Sequence, residues 1–187
     1  MFNKSVVRLG EFDSSLGFTL GASKFKFVVW YIVKCIFFLN PFPFPNSIKR
    51  LLLILFGAKI GHSVIIKPRV NIHFPWKLEI GDYVWIGEEV FILNFEKVTV
   101  GNNVCISQRS FLCCGNHDYS IYNMPYRNSP ITLYDGVWIG ASSFIGPGVV
   151  IGNDTIVTAG SIINETLDSN GIYKTYTKPY LVKKRWK

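Results

Sequence analysis

From residue 60 onward an aliphatic side chain recurs every six positions, and this period constrains the fold more than any other feature of the chain. The series runs Ile60, Ile66, Ile72; Ile80, Ile86, Ile92; Val100, Ile106, Leu112; then Leu133, Ile139, Ile145, Ile151, Val157, Ile163. Glycine often follows the aliphatic residue, and a small or β-branched residue stands four places after it, as at Val64, Val84, Ser110, Ser143 and Thr155. A period of six matches neither an amphipathic helix nor an isolated half-buried strand. It matches a solenoid whose coil is a triangular prism, with one short strand per face and a turn at each corner. One coil cannot bury its own apolar row, so several must stack into a continuous core. The period therefore predicts an all-β fold, a left-handed parallel β-helix of about five coils. The glycines, with the Asn and Asp residues of Gly101-Asn-Asn103 and Gly152-Asn-Asp154, are expected to supply positive φ at the corners.

The interruptions of the period divide the chain. The steps from 72 to 80 and from 92 to 100 are each two residues too long, which places small bulges at His73–Glu79 and Leu93–Val98. A larger break between 112 and 133 leaves residues 114–128 as a loop extruded from the third coil, the kind of insertion where function tends to sit. Residues 1–58 form an N-terminal segment, 59–165 the β-helix, and 166–187 a basic cap in which the repeat has stopped. Both flanking segments are expected to close the ends of the prism, whose strand edges would otherwise pair with other chains.

Composition narrows the functional classes. With 187 residues, 49% hydrophobic and 17% charged, the chain has one packed domain and is not disordered. A formal charge of +8 favours anionic partners. No nucleic-acid motif with aromatic stacking residues on a basic face accompanies it, so a nucleic-acid role is set aside. The four cysteines lack metal-ligand spacing, and adjacent Cys113 and Cys114 suit packing in a reducing, cytoplasmic compartment better than a disulfide. No secretory signal opens the chain. The apolar stretch 27–39 contains Lys34 and falls short of a spanning helix. It packs on the main domain or lies in a membrane interface with Trp30, Tyr31 and Lys34 at headgroup level.

The extruded loop opens on His117, one of three histidines. An imidazole can take a proton from a hydroxyl at neutral pH and return it to a leaving thiolate. Asp118 either orients that histidine or holds the loop. Asn116 is either a turn former bonded to backbone or a substrate contact, and Asn94 is placed with it toward substrate.

Several stretches closely resemble the colanic-acid-type (WcaF-like) polysaccharide O-acetyltransferases: Ile65-Ile-Lys-Pro-Arg-Val-Asn-Ile72, Pro75-Trp-Lys-Leu-Glu-Ile-Gly-Asp82, Val104-Cys-Ile-Ser-Gln108, Gly115-Asn-His-Asp-Tyr-Ser120, Trp138-Ile-Gly-Ala141 and Thr158-Ala-Gly-Ser161. The resemblance implies a homotrimer with sites in grooves between neighbouring prisms, and His117 as general base. It implies acetyl-CoA as donor with no metal required, its pantetheine passing Gly140, Ala141, Ser142, Ala159 and Gly160, and a carbohydrate acceptor. Two stretches depart from the family's pattern: Asn164-Glu165 replaces a Thr-Lys pair, and Gly171-Ile-Tyr-Lys-Thr-Tyr-Thr-Lys-Pro179 lacks the usual Gly-Asn-Pro. Charge then suggests Lys174, Lys178, Lys183, Lys184 and Arg185 for the 3′-phosphate of CoA. An amine acceptor, a zinc site using all three histidines, and a non-catalytic β-helix that binds anions or membrane are the rival readings. The apolar N-terminal stretch makes a lipid-linked glycan at the inner face of a membrane the attractive acceptor.

Overall fold

The computed structural model describes residues 6–175. Two helices, α1 (Lys24–Phe37) and α2 (Asn46–Leu55), precede sixteen short strands. The first coil contains β1 (Lys59–Ile60), β2 (Ile65–Ile66) and β3 (Asn71–Ile72), and the second β4 (Leu78–Ile80), β5 (Trp85–Ile86) and β6 (Phe91–Leu93). The third contains β7 (Val98–Val100), β8 (Cys105–Ile106) and β9 (Phe111–Cys113). After the extruded loop come β10 (Ile131–Leu133), β11 (Trp138–Ile139) and β12 (Phe144–Ile145), then β13 (Val150–Ile151), β14 (Ile156–Val157) and β15 (Ile162–Ile163), and last β16 (Ile172–Tyr173). All pairing is parallel. Face A stacks β1-β4-β7-β10-β13, face B β2-β5-β8-β11-β14-β16, and face C β3-β6-β9-β12-β15. This is the β-helix that the six-residue period predicts.

The core follows the sequence series closely. All fifteen leading aliphatic residues are buried, and so are the small or β-branched residues four places on, including the polar Ser110, Ser143, Thr155 and Ser161. Ser110 Oγ donates to Gly140 O at 3.0 Å, Ser143 Oγ to Thr158 O at 3.1 Å and Thr155 Oγ1 to Asp168 O at 2.8 Å, while Ser161 Oγ pairs with Thr158 Oγ1 at 3.1 Å. Each fully buried aliphatic contributes about 1.5–3 kcal/mol relative to exposure.

Two expectations change. The glycines after the aliphatics are there for close approach rather than for positive φ. A Cβ on Gly101 would stand 2.8 Å from the backbone of Tyr134 in the next coil, and one on Gly140 2.4 Å from Ala159 N. Positive φ falls two residues later, as expected at Asn103 (55°) and Asp154 (53°) and also at Tyr83 (58°) and Ser142 (57°). The solenoid also does not stop at Glu165. Leu167 bridges Ile151, and β16 extends face B by pairing Val157 with Tyr173. That last turn advances sixteen residues, 157 to 173, where the preceding one advances eighteen, 139 to 157. The shortened step breaks the six-residue register, which is why the sequence pattern ends early.

The N-terminal helices close the first coil with side chains. Lys49, 1% exposed, donates through Nζ to Ile66 O (2.9 Å) and Lys67 O (3.2 Å). Arg50 donates to Gly61 O and Ile60 O, and Asn46 Oδ1 accepts from Ile66 N. Trp30, fully buried, donates to the carbonyls of Ile72 and His73. Strand-edge groups that would be orphaned are thereby satisfied. Trp30 and Lys34 therefore face the β-helix and not a membrane: both are buried, while Tyr31 is exposed. No helix of the described residues is long and apolar enough to cross a membrane.

Candidate active site

The extruded loop leaves the corner between faces C and A, directly above the two bulges that interrupt the period. It folds back on itself. His117 and Tyr126 form an antiparallel bridge, Arg127 N donates to Asn116 O, Asp118 N donates to Pro125 O, and Ser129 N closes the base on Cys114 O. The bulges supply Phe74 and Phe95, whose rings stack 5.8 Å apart beneath the loop.

Residues 6–22 do not cap the prism end. They run as a strap across the loop. Arg8 N donates to Tyr122 O, and Tyr126 N donates to Leu16 O. The approach is so close that a Cβ on Gly17 would meet Tyr126 O at 2.1 Å. Phe12 on this strap sits edge-on to His117, ring centroids 5.6 Å apart, and Tyr126 stacks on the imidazole at 4.7 Å. A cavity of about 350 Å³ opens here, lined by Leu9, Phe12, His117, Met124 and Tyr126.

The histidine is held in one tautomer. His117 Nδ1 lies 2.6 Å from Met124 O. A carbonyl only accepts, so Nδ1 carries the proton and Nε2 keeps its lone pair. The imidazole is thereby pinned by one hydrogen bond and one stacked ring, with Nε2 left as a proton acceptor.

Asp118 does not perform the orientation that the sequence offered as one of its two roles. Its Oδ1 accepts from Ser120 N and Ser120 Oγ, and these bonds hold its carboxyl below the usual range. The carboxylate fastens the loop, and the contact to the imidazole is made by the Met124 carbonyl instead. Asn116 takes the turn-forming role: its Oδ1 accepts from His117 N at 2.8 Å, and its own N donates to Asn128 Oδ1. Asn94 is corrected outright as a substrate contact. It is fully buried, and its amide is matched to the Phe74 backbone, accepting from N at 2.8 Å and donating to O at 2.6 Å. It holds the bulge below the loop.

The residues assigned to the donor gather at a different corner, between faces B and C. Gly140, Ala141 and Ser142 lie directly beside Ala159 and Gly160 of the next coil, with Gly160 N donating to Ala141 O at 2.8 Å. Nothing stands within 4 Å of a Cβ built on Gly160, so the corner is open. The backbone N–H groups of Ala141 and Ala159 make no hydrogen bond among the described residues. This column and His117 flank face C from opposite edges and are not joined within one chain. Lys174 is exposed, while Lys178, Lys183, Lys184 and Arg185 lie outside the described residues.

Cysteine chemistry is disfavoured beside the loop. Burial pushes the Cys114 thiol up to about 12, and Cys113 is raised by burial too. The thiolate that a nucleophile requires is suppressed. The three histidines do not converge: His62 pairs with Asp82 at the corner between faces A and B, away from His73 and His117. Among the described residues no three His, Cys, Asp or Glu side chains are grouped to hold a metal. Met124, Tyr126 and Phe12, all in contact with His117, were not singled out from sequence.

Comparison with known proteins identifies the family. Residues 133–165 match the family model described as bacterial transferase hexapeptide (six repeats). The chain is 36% identical over 162 residues to the putative colanic acid biosynthesis acetyltransferase WcaF of Escherichia coli (strain K12), covering 87% of this chain and 88% of that protein. The fold matches the hexapeptide-repeat acetyltransferase of Vibrio cholerae O1 biovar eltor in complex with acetyl coenzyme A, with a TM-score of 0.72 at 23% identity over 81% of this chain and 85% of that one. It also matches a galactoside acetyltransferase in complex with coenzyme A, with a TM-score of 0.70 at 24% identity over 79% and 74%. With the repeat, the extruded histidine loop and this level of identity over nearly the whole length, the chain belongs to the WcaF-like hexapeptide-repeat acetyltransferases.

Proposed function

We propose that the chain transfers the acetyl group of acetyl-CoA to a sugar hydroxyl of a polysaccharide or lipid-linked glycan precursor at the cytoplasmic face of a membrane. The observation that carries this reading is His117, fixed by the Met124 carbonyl with Nε2 as the free acceptor beside an open cavity. Nε2 removes the proton of the acceptor hydroxyl as its oxygen attacks the thioester carbonyl. The C–O bond forms, the C–S bond of the tetrahedral intermediate breaks, and the imidazolium returns its proton to the leaving thiolate. No covalent acyl-enzyme takes part. The unpaired N–H groups of Ala141 and Ala159 suit the amide carbonyls of a pantetheine arm. The WcaF relative is named for colanic acid biosynthesis and a structural neighbour is a galactoside acetyltransferase, and both favour a carbohydrate acceptor.

The working unit in this reading is a homotrimer. Faces B and C carry apolar ladders outward: Trp85 and Trp138 are exposed on B, and along C Phe91 stacks on Phe111 at 4.7 Å while Phe144 meets Phe111 edge-on at 5.4 Å. Face A presents Lys59, Glu79, Thr99 and Thr132 instead. Two apolar faces and one polar face suit cyclic, heterologous packing. Such packing sets the donor corner of one prism beside the histidine corner of a neighbour.

Release of free thiol from acetyl-CoA, followed with a panel of oligosaccharides and the acetylated position mapped by mass spectrometry, tests the function. An O-acetyl product from one glycan class is expected. Acetylation confined to amino sugars, or thiol release indifferent to every acceptor, would overturn it.

A further inference from the structure

A second cavity, which the chemistry above leaves unused, adjoins the histidine site. It measures about 440 Å³, within the range of small-molecule sites, and its walls include Phe18, Phe27, Val28, Phe74, Phe95 and Tyr126. Five parts of the chain build it: the strap, α1, the two bulges and the extruded loop. Phe18 lies 5.1 Å from Phe95 and 5.4 Å from Tyr126 between ring centroids, and Tyr126 in turn stacks on His117. One aromatic ring therefore separates this cavity from the imidazole.

The cavity continues an exposed apolar surface. Val28, 53% exposed, belongs to a stripe on the outer side of α1 with Phe25 (80%), Ile32 (54%) and Ile36 (49%). These positions recur with helical spacing, so the stripe runs along the helix to the cavity. Charge points to an anionic partner. Lys24 also lines the cavity, is exposed, and forms no ion pair among the described residues. From residue 14 to residue 78 the sequence holds no Asp or Glu at all, while Lys24, Lys26, Lys34, Lys49 and Arg50 fall in the helices and Lys77 in the first bulge. The lining also holds the Tyr126 phenol and His73, whose imidazole burial favours in its neutral form.

We propose that this cavity holds the proximal hydrocarbon of a phosphate-bearing, lipid-linked glycan acceptor, with Lys24 on the phosphate and the sugar passing Tyr126 to reach His117. The glycan part rests on the acetyl-transfer reading; the lipid site stands on the cavity, the stripe and the cation. Lipid binding places the reactive sugar beside Nε2 by tethering it, which raises its effective concentration there.

Equilibrium dialysis of the full chain with geranylgeranyl phosphate, below its micellar concentration, tests the site. Saturable binding is expected, weakened about tenfold or more by Val28→Trp, which fills the cavity, and by Lys24→Glu, which reverses the charge. Both positions are at the surface, and unchanged thermal melting checks that the variants fold. Geranylgeraniol is expected to bind at least about tenfold more weakly, and inorganic phosphate not to compete. Absence of saturable binding, or binding unchanged in both variants, would overturn the proposal. So would phosphatidylglycerol vesicles competing equally well, which would mark a bilayer contact, or a lowered sedimentation coefficient in Val28→Trp, which would mark a second copy as occupant. Acetylation of a soluble glycan without lipid binding would sink the lipid site alone. Lipid binding by a chain that acetylates nothing would sink the transfer reading and leave the site standing.

Discussion

His117 derives its role from two contacts made by one loop. The Met124 carbonyl fixes the tautomer and Tyr126 fixes the ring plane, so the neighbouring carboxylate is not needed. Asp118→Asn is accordingly expected to keep most of the acetyl-transfer rate, because an amide oxygen can still accept from Ser120; a loss as deep as that of a histidine variant would restore Asp118 as a catalytic group. His73 makes a separate contribution, to stability. Burial, with Lys34 adding to it, lowers its pKa from 6.5 to about 4. The fold therefore favours the neutral form, and the unfolded chain binds more protons between those values. Stability contributed this way is full above pH 6.5 and is lost as pH falls toward 4, by up to about 3 kcal/mol. Urea midpoints measured across that window should fall for the wild type and flatten for His73→Phe; equal slopes would contradict the assignment.

At the scale of elements, α2 is a plug for the open end of the prism. Lys49 carries one buried and one half-buried hydrogen bond to first-coil carbonyls. Lys49→Met should cost about 1–3 kcal/mol, since the buried Ile66 carbonyl loses its donor. A change under about 0.5 kcal/mol in denaturant unfolding would mean that the plug is incidental. The prism itself was legible in the sequence because every core position recurs at a fixed step, and Ile60 through Ile163 all fall inside as the step requires. The sixth turn was not, because its sixteen-residue advance puts Leu167 and Tyr173 out of phase. His117 was legible because a break in the period isolates it and the surrounding residues carry the family resemblance. Met124 and Tyr126 were not, since their contact with it depends on how the loop doubles back. Phe12 and Phe18 were further from view: they reach the loop from more than a hundred residues away, through aromatic contacts that leave no period behind. Asn94 shows the opposite failure, a polar residue near the site in sequence whose amide is spent entirely on the backbone of Phe74.

For the whole molecule, the division of labour between corners sets the requirement. His117 and the Ala141–Ala159 column flank face C from opposite edges, so one prism alone would not bring the proposed donor column and the proposed base together. Sedimentation is expected to report a trimer. Trp138→Glu and Phe111→Glu, each placing a charge on an apolar ladder, should yield monomers that have lost transfer activity; a fully active monomer would contradict the shared groove. The account as a whole stands on His117 as the base. The most direct test pairs acetyl-CoA binding with acceptor-stimulated thiol release in the wild type and in His117→Ala. The expected result is CoA bound equally by both, with the acceptor-stimulated rate reduced about 10²–10⁴-fold in the variant. A His117→Ala chain that binds CoA and still transfers at the wild-type rate would contradict it.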